Sequence, residues 1–387
     1  MNDTTDAVGF DGLFLDQATT GVGMYANNLW RTFRCGGEQT PEVRLLVPDS
    51  EAYRGIADHD SGKVRPPAGF RNGKWLKIWW EQRGIVRAAD RANVRAVHSP
   101  HFAAPMFART PVIITIHDVI PFVYPEYRSS ASMRAYLRIV SHASKRAAVI
   151  LTDSECSRRD IERHLGIDRE RIVVVPLAVD DKFRPSHDDD ADAEIRSRLE
   201  LPGPVIFNVG GLDARKNIET LLRGFATALP DLDPDIRLVI AGAAHSRNRR
   251  LYPPLEPIIE QLGVCDRVVL PGRVSEADKL RLYNIADLYV FTSLYEGFGL
   301  SPLEAMACGT PVVCSNRSSL PEVVGEGGIL VDPVPEKIAG SISTVMNDRY
   351  LQRRLSQQGL EQASKFSWER TAMRTREVYR QVLESRH

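Results

Sequence analysis

The chain has little of what usually narrows a function quickly. Its five cysteines (Cys35, Cys156, Cys265, Cys308 and Cys314) are odd in number and scattered, and none belongs to a Cys-x-x-Cys pair. That argues against a disulfide framework and against a zinc knuckle. No apolar run approaches the roughly 18–20 residues needed to span a membrane. The opening residues, MNDTTDAVGF, show neither a basic start nor a long apolar stretch, so a secretory signal is not expected. Net charge is missing too: fifty basic and fifty acidic side chains cancel, so nucleic acid is not an expected partner. Short repeats and low-complexity tracts are absent. What remains is the composition of an ordinary globular protein, 43% hydrophobic and 26% charged, expected in the cytoplasm.

A chain of 387 residues exceeds one compact core, and two domains are the natural expectation. Short apolar runs alternate with longer amphipathic ones throughout. In the first half the runs AVGF, VRLLVP, AVHSP, PVIITI, AVILTD and IVVVPL read as strands, and residues 23–34, 74–92, 130–147 and 156–165 as helices. In the second half PVIFNVG, RLVIAG, RVVLPG, LYVFTS, PVVCS and GILVD repeat the rhythm. Strand–helix alternation with apolar strands implies parallel sheets covered on both faces. The fold expected is α/β, two doubly wound Rossmann-like domains facing across a cleft. An Asp-rich stretch, residues 180–194, lies outside any apolar pattern and reads as the break. This gives a first domain over 1–182, a linker and lead-in helix over 183–203, a second domain over 204–365, and a C-terminal helix over 366–387. That helix is able to return to the first domain, with Phe366, Trp368, Met373, Val378 and Tyr379 as its packing residues.

In doubly wound sheets, ligands bind outside the carboxyl ends of the strands, so chemistry is sought in the loops that follow them. Gly21-Val22-Gly23-Met24-Tyr25-Ala26 has the form G-x-G-x-x-A, with Asp49 after the next strand run. A dinucleotide fingerprint starts immediately after its strand. Here LFLDQATT intervenes, which makes NAD a minor alternative. The two glycines read instead as a loop whose amides open a helix at Met24 and suit an anion. Gly210 and Gly211 follow a strand, and Arg215 and Lys216 stand just before a helix. Cations there oppose the helix dipole unless an anion is present, and a diphosphate would supply one. In TSLYEGFGLSPLEAMACGTPVV, Glu296 and Glu304 stand eight apart. Ser301 and Glu304 also form a capping box with Pro302 at the first helical position, which gives Glu304 a purely structural reason to exist. Glu296, among Gly297 and Gly299, has none. A carboxylate there can accept from sugar hydroxyls. His117 follows the very apolar run PVIITI; a lone histidine is more often structural, but a strand's carboxyl end favours the functional reading.

These motifs together resemble the retaining glycosyltransferases of glycosyltransferase family 4, which have the GT-B fold. The resemblance runs nearly end to end, through GVGMYANNL, WWEQ, HSPHF, IHDVIP, TDSECSRRDI, VVPLAVDDKFRP, VGGLDARKN, the long run from GRVSEADK to GTPVV, and FSWERTA. Glu296 and Glu304 match the family's E-x7-E element. The resemblance implies a nucleotide-sugar donor held mainly by the second domain and an acceptor held mainly by the first. By position, Glu304 would hold the ribose and Glu296 the transferred sugar. Arg215 and Lys216 would neutralise the diphosphate, aided by the amides of Phe298, Gly299, Leu300 and Ser301 and by Gly21 and Gly23. Arg273 and Val274 would hold the base, and His117 would touch the donor sugar. The family often has Arg directly after the strand-end glycine, where this chain has Gly211, so the diphosphate leans on Arg215 and Lys216.

The wording of the motifs is most similar to bacterial mannosyltransferases, which implies GDP-mannose, with dTDP-rhamnose or a UDP-hexose as the alternatives. The acceptor implied is a saccharide or polyprenyl-linked saccharide of surface polysaccharide assembly. No cofactor and no metal are expected, because two cations and helix-end amides can carry the leaving charge. An epimerase, a phosphorylase and a catalytically silent nucleotide-binding subunit are the competing readings. Intact His117, Arg215, Lys216, Glu296 and Glu304 speak against the last. Two readings of the basic stretches stand side by side: contact with an anionic membrane surface, at the inner face of the membrane, or solvated helix faces with the tryptophans in the core. Residues 128–146 carry Arg128, Arg134, Arg138, Lys145 and Arg146 without an acid, and residues 71–95 carry seven cations among Trp75, Trp79 and Trp80.

Overall fold

The computed structural model describes residues 6–17, 20–35, 40–53, 56, 62–70, 73–128, 130–244 and 248–385, with only the backbone of Lys74. The chain divides into two compact units, residues 1–177 with 368–387, and residues 178–367. The first holds strands β1 (Ala7–Asp11), β2 (Glu42–Pro48), β3 (Gly62–Val64), β4 (Ala96–Ser99), β5 (Val112–Thr115), β6 (Val149–Thr152) and β7 (Ile172–Val174) in one sheet, ordered β3-β2-β1-β4-β5-β6-β7. The second holds β8 (Val205–Val209), β9 (Arg237–Ala241), β10 (Val268–Gly272), β11 (Leu288–Phe291), β12 (Val312–Ser315) and β13 (Ile329–Val331), ordered β10-β9-β8-β11-β12-β13. All the strand pairs are parallel. Each run of Val, Ile and Leu seen in the sequence is a strand because helices cover both sheet faces and no alternation with polar residues is needed. β3 went unread because three residues make no apolar run.

Each sheet reverses its strand order once, between β1 and β4 in the first unit and between β8 and β11 in the second. The loops leaving those strands splay to opposite faces and open a crevice at the carboxyl ends. Arg215 and Lys216 follow β8 and Glu296 follows β11 at the second of these reversals.

One expectation about helices is corrected. Residues 74–92 do not form one regular helix: Gly73–Trp79 and Ile85–Arg91 are α-helical, and Trp80–Gly84 between them is a π turn. The wider turn lets the consecutive indoles Trp79 and Trp80 both enter the core, 7% and 0% exposed, which the 100° step of an α-helix would resist. Trp75, by contrast, is 54% exposed. The Asp-rich stretch opens the lead-in helix expected within 183–203. That helix, Asp189–Arg198, is capped by Asp188 accepting from the Ala191 amide at 3.2 Å, with three acids in its first turn to suit the dipole.

The C-terminal helix, Trp368–Glu384, packs in the first unit. Trp368, Val378 and Tyr379 are buried as expected, but Met373 is exposed. Met373 lies five residues from both Trp368 and Val378, which places it about 140° around the helix from each. The helix is fastened by polar contacts as well. Thr371 donates to the Pro176 carbonyl, and Arg376 to the carbonyls of Pro41 and Phe33. Tyr379 Oη lies 2.6 Å from His98 Nδ1 in β4, and His98 Nε2 lies 2.8 Å from Thr115 Oγ1 in β5. Thr115 in turn meets Tyr25 Oη at 3.2 Å. Burial holds His98 neutral, its pKa pulled down to about 3.

Candidate functional site

In the second unit the crevice is built from the loops after β8 and β11. β8 runs out through Gly210 and Gly211 into a tight 3-10 turn, Ala214–Lys216, and then into the helix Ile218–Ala228. That turn delivers Arg215 and Lys216 together. β11 runs out through Thr292 to Gly299 into the helix Leu300–Ala307, and this loop delivers Glu296. The three side chains meet. One oxygen of Glu296 lies 2.8 Å from Arg215 Nη1, 2.6 Å from Lys216 Nζ and 2.6 Å from the Ser293 hydroxyl. Asp213 adds a contact to Arg215 Nε at 3.2 Å. Burial alone would raise the pKa of Glu296, but Lys216 and Arg215 more than offset it, and the carboxyl is held below its ordinary range. The anion anticipated beside Arg215 and Lys216 is thus present within the protein, in the form of Glu296.

The backbone of the loop is fixed just as firmly. Ser318 and Ser319 donate to the Glu296 carbonyl, and Ser319 also lies 2.6 Å from the Phe298 carbonyl. Gly299 stands at the N-cap of the next helix with φ 121°, a conformation that L side chains rarely adopt, and a Cβ there would lie 2.9 Å from Leu320. The capping box expected from Ser301 and Glu304 does not form. The helix starts two residues earlier, at Leu300, and no side chain caps it. Pro302 is therefore its third residue rather than its first. Its opening amides, at Leu300 and Ser301, sit beside Gly297 and Phe298.

Glu304 turns away from the helix end and is 4% exposed. Tyr283 Oη donates to it at 2.9 Å and Lys279 Nζ approaches at 3.2 Å. Burial raises the carboxyl's pKa despite the lysine. Lys279 and Tyr283 were not singled out in the sequence; their four-residue spacing on the helix Glu276–Ile285, one face of a helix, was the available signal. Arg273 and Val274 lead into that same helix, which Ser275 caps, so the loop that follows β10 is tied to Glu304 through one helical element. Arg273 is exposed and Val274 half-buried.

Gly21, Gly23 and His117 lie in the first unit. The helix there begins at Gly21 rather than Met24, so the two glycines form its first turn and not a preceding loop. Thr20 Oγ1 accepts from the Gly23 amide at 3.1 Å. Gly23 is required sterically, since a Cβ would fall 1.9 Å from the Gln17 carbonyl oxygen, whereas Gly21 has open space. His117 follows β5, and its Nδ1 lies 2.8 Å from Asp153 Oδ2 just after β6. Tyr25 packs edge-on against the imidazole, with ring centroids 4.7 Å apart. Burial pulls the His117 pKa down, but the Asp153 charge and hydrogen bond win, and the net direction is up. Among the described residues, His117 Nε2 and Asp153 Oδ1 have no hydrogen-bond partner. Asp153 orients the ring through Nδ1, and the Pro100 carbonyl adds a further acceptor beside the imidazole. Sequence reasoning missed Asp153, although it stands at a strand's carboxyl end as His117 does.

Comparison with known proteins agrees with this architecture. Residues 20–183 match the family described as Glycosyltransferase Family 4, and residues 191–362 match Glycosyl transferases group 1. The O-antigen chain mannosyltransferase B of Escherichia coli is 32% identical over 285 residues, 73% of this chain and 73% of that protein. A D-inositol 3-phosphate glycosyltransferase of Xylanimonas cellulosilytica is 34% identical over 370 residues, covering 89% of this chain and 84% of that one. A serotype-specific mannosyltransferase, WbdA of Escherichia coli, is 28% identical, but the match spans only 34% of its length. Among solved structures, Anabaena HepE in complex with UDP-glucose superimposes with a TM-score of 0.71 at 19% identity, covering 98% of this chain and 99% of that one. With two doubly wound parallel sheets and these matches on both halves, the chain belongs to glycosyltransferase family 4 and has the GT-B fold.

Proposed function

We propose that the protein is a retaining hexosyltransferase that moves mannose from GDP-mannose onto a saccharide or lipid-linked saccharide in surface polysaccharide assembly. The observation that carries the proposal is the meeting of Arg215, Lys216 and Glu296 at the second unit's strand-order reversal. Two buried cations neutralised by one carboxylate are poised to exchange that partner for a diphosphate. The uncapped amides of Leu300 and Ser301 add partial positive charge for the same anion. Glu304 takes the ribose hydroxyls, with Lys279 and Tyr283 holding the carboxylate in place. Arg273 and Val274 flank the base. Glu296 binds the hexose hydroxyls, and His117, oriented by Asp153, touches the donor sugar.

In the reaction the bond from the anomeric carbon to the diphosphate oxygen breaks, and the acceptor oxygen bonds that carbon from the same face. The acceptor's proton passes to the departing phosphate oxygen, so charge and atoms balance. Arg215 and Lys216 stabilise the charge that grows on the leaving group, the largest single contribution a site of this kind makes. No metal or cofactor is needed for that step. The mannose choice leans on the two mannosyltransferase relatives. A UDP-hexose donor is the second reading, favoured by the HepE complex with UDP-glucose, and dTDP-rhamnose the third. A thermal-shift panel of GDP, UDP and dTDP separates them. At 100 times its dissociation constant a ligand adds roughly 2.7 kcal/mol, and the largest shift should come from GDP. A larger response to UDP would contradict the mannose reading.

No helix among the described residues is long and apolar enough to cross a membrane. Peripheral contact with an anionic surface is part of the proposal, with its contributors revised. Trp79 and Trp80 belong to the core, and Arg71 and the Lys74 side chain lie outside the described residues. Trp75, Ile78, Met133 and Ile139 are exposed, 41–54%, the last two on the helix that carries the exposed cations Arg134 and Arg138. Apolar side chains among cations of one sign suit an anionic lipid surface. The protein should sediment with phosphatidylglycerol vesicles at low salt and be released by high salt. Absence of binding at low salt would reject this contact.

A further inference from the structure

The strand-order reversal of the first unit, between β1 and β4, is the counterpart of the crevice occupied by Arg215, Lys216 and Glu296 in the second. It holds a group of polar residues that the donor chemistry does not use. Asp11 ends β1 and is fully buried. Its carboxylate accepts three hydrogen bonds, from Trp80 Nε1 at 2.8 Å, the Ser99 hydroxyl at 2.9 Å and the Leu13 amide at 3.0 Å. His101, two residues past β4, is only 4% exposed, and among the described residues neither ring nitrogen has a hydrogen-bond partner. The nearest carboxylate oxygens stand off, Asp11 at 3.9 Å from Nδ1 and Glu81 at 3.4 Å from Nε2. Glu81, itself 4% exposed, is presented by the π turn. Its other neighbours are equally distant, Tyr136 Oη at 3.5 Å and Lys77 Nζ at 3.7 Å.

Four polar side chains from separate elements are therefore drawn together yet stop short of the 2.7–3.2 Å of an ordinary hydrogen bond. Buried polar groups in native proteins are normally bonded, and an exception calls for a cause. The surroundings supply one. Phe14 meets His101 edge-on at 4.7 Å, and Lys77 Nζ lies over the rings of both Phe14 and Tyr136, at 5.5 and 5.3 Å. Phe14, Lys77 and Tyr136 are half-buried, so the group is backed by Asp11 and reaches the surface at these three side chains, with Glu81 and His101 behind them. Aromatic rings beside a carboxylate, an imidazole and an ammonium match a pyranose, whose C–H faces pack on rings and whose hydroxyls both donate and accept.

We infer that Glu81, His101, Lys77 and Tyr136 form the subsite for the terminal sugar ring of the acceptor. Glu81 accepts from ring hydroxyls, His101 Nε2 and Lys77 Nζ bond the same hydroxyls, and Asp11 anchors Trp80, the first residue of the turn that carries Glu81. The assignment rests on the transferase reading for the word acceptor, but its test needs neither donor nor turnover. Saturation-transfer NMR on the full chain would use methyl α-mannopyranoside, methyl α-glucopyranoside and methyl α-galactopyranoside as probes. At least one glycoside should receive magnetisation from the wild type. The signal should fall at least fivefold in Glu81→Gln and in Lys77→Met, a change at a half-exposed position that carries the test alone if the first variant fails to fold. No transfer to any of the three glycosides, or undiminished transfer in the folded variants, would overturn the assignment. Nucleoside diphosphate binding, measured on the same samples, tells that failure apart from failure of the donor site.

Discussion

Glu296→Gln is expected to lower the stability of the unliganded protein by about 3–5 kcal/mol, the usual consequence of removing one member of a buried ion pair. The substitution keeps the shape of the side chain and removes the charge that Arg215 and Lys216 share. All three side chains are 9–14% exposed, so water cannot replace what is lost. Asp213 still pairs with Arg215, and the deficit falls chiefly on Lys216. A bound diphosphate restores the missing negative charge. The variant should therefore gain more stability from GDP than the wild type does, and urea unfolding with and without GDP measures both terms. Glu304→Gln should differ. Lys279 keeps Glu276 at 3.1 Å, so the unliganded protein should lose only about 1 kcal/mol, the scale of one hydrogen bond. Near-wild-type stability of Glu296→Gln would mean that the cations do not depend on that carboxylate.

Acid should unfold the first unit through His98. The folded state keeps this imidazole neutral down to about pH 3, whereas an unfolded chain protonates it below about 6.5. The unfolded state then binds the extra proton, and stability falls as pH falls between those limits. The expected loss is about 3 kcal/mol by pH 4, at 1.36 kcal/mol per pH unit. Glu296, whose carboxyl is held low, loses stability in the same direction near the carboxylate range. Asp11, Asp153, Glu304 and His117 are shifted upward and oppose it, so the His98 contribution is read as a difference. Between pH 6.5 and 4 the wild type should lose about 3 kcal/mol more than His98→Gln does. Glutamine can still bridge Tyr379 and Thr115 and does not titrate. Parallel pH profiles for the two proteins would contradict the buried neutral assignment.

Much of the architecture was legible because parallel strands buried on both faces announce themselves as unbroken apolar runs. Every such run became a strand, and the loops after β5, β8 and β11 carry His117, Arg215, Lys216 and Glu296 as their positions implied. What escaped was of two kinds. Local signals were outvoted by tertiary contacts. Ser301 and Glu304 spell a capping box, but Glu304 gains more by meeting Lys279 and Tyr283 from another helix, and Gly299 takes the cap. Likewise WWEQ reads as regular helix until both indoles must be buried, and the chain widens into a π turn. The second kind is partnership across long sequence separations. Nothing local in TDSECS says that Asp153 meets His117, which the pairing of β5 with β6 brings about. Nothing in HSPHF says that His101 faces Glu81, which the packing of the π turn beside the end of β4 brings about. Met373 shows the reverse error, an apolar residue counted as core although helical geometry turns it outward.

The central claim is that the second unit's crevice holds a nucleoside diphosphate through Arg215 and Lys216, with Glu304 on the ribose and Glu296 on the transferred sugar. Titration calorimetry with GDP on wild type, Glu304→Gln and Glu296→Gln tests it most directly. Glu304→Gln should lose about 1–3 kcal/mol of affinity, the cost of weakening bonds to a charged acceptor. Glu296→Gln should bind GDP as tightly as the wild type or tighter, because its carboxylate no longer competes for the cations and its own ligand, the hexose, is absent. Unchanged affinity in Glu304→Gln, or a marked loss in Glu296→Gln, would contradict the assignment.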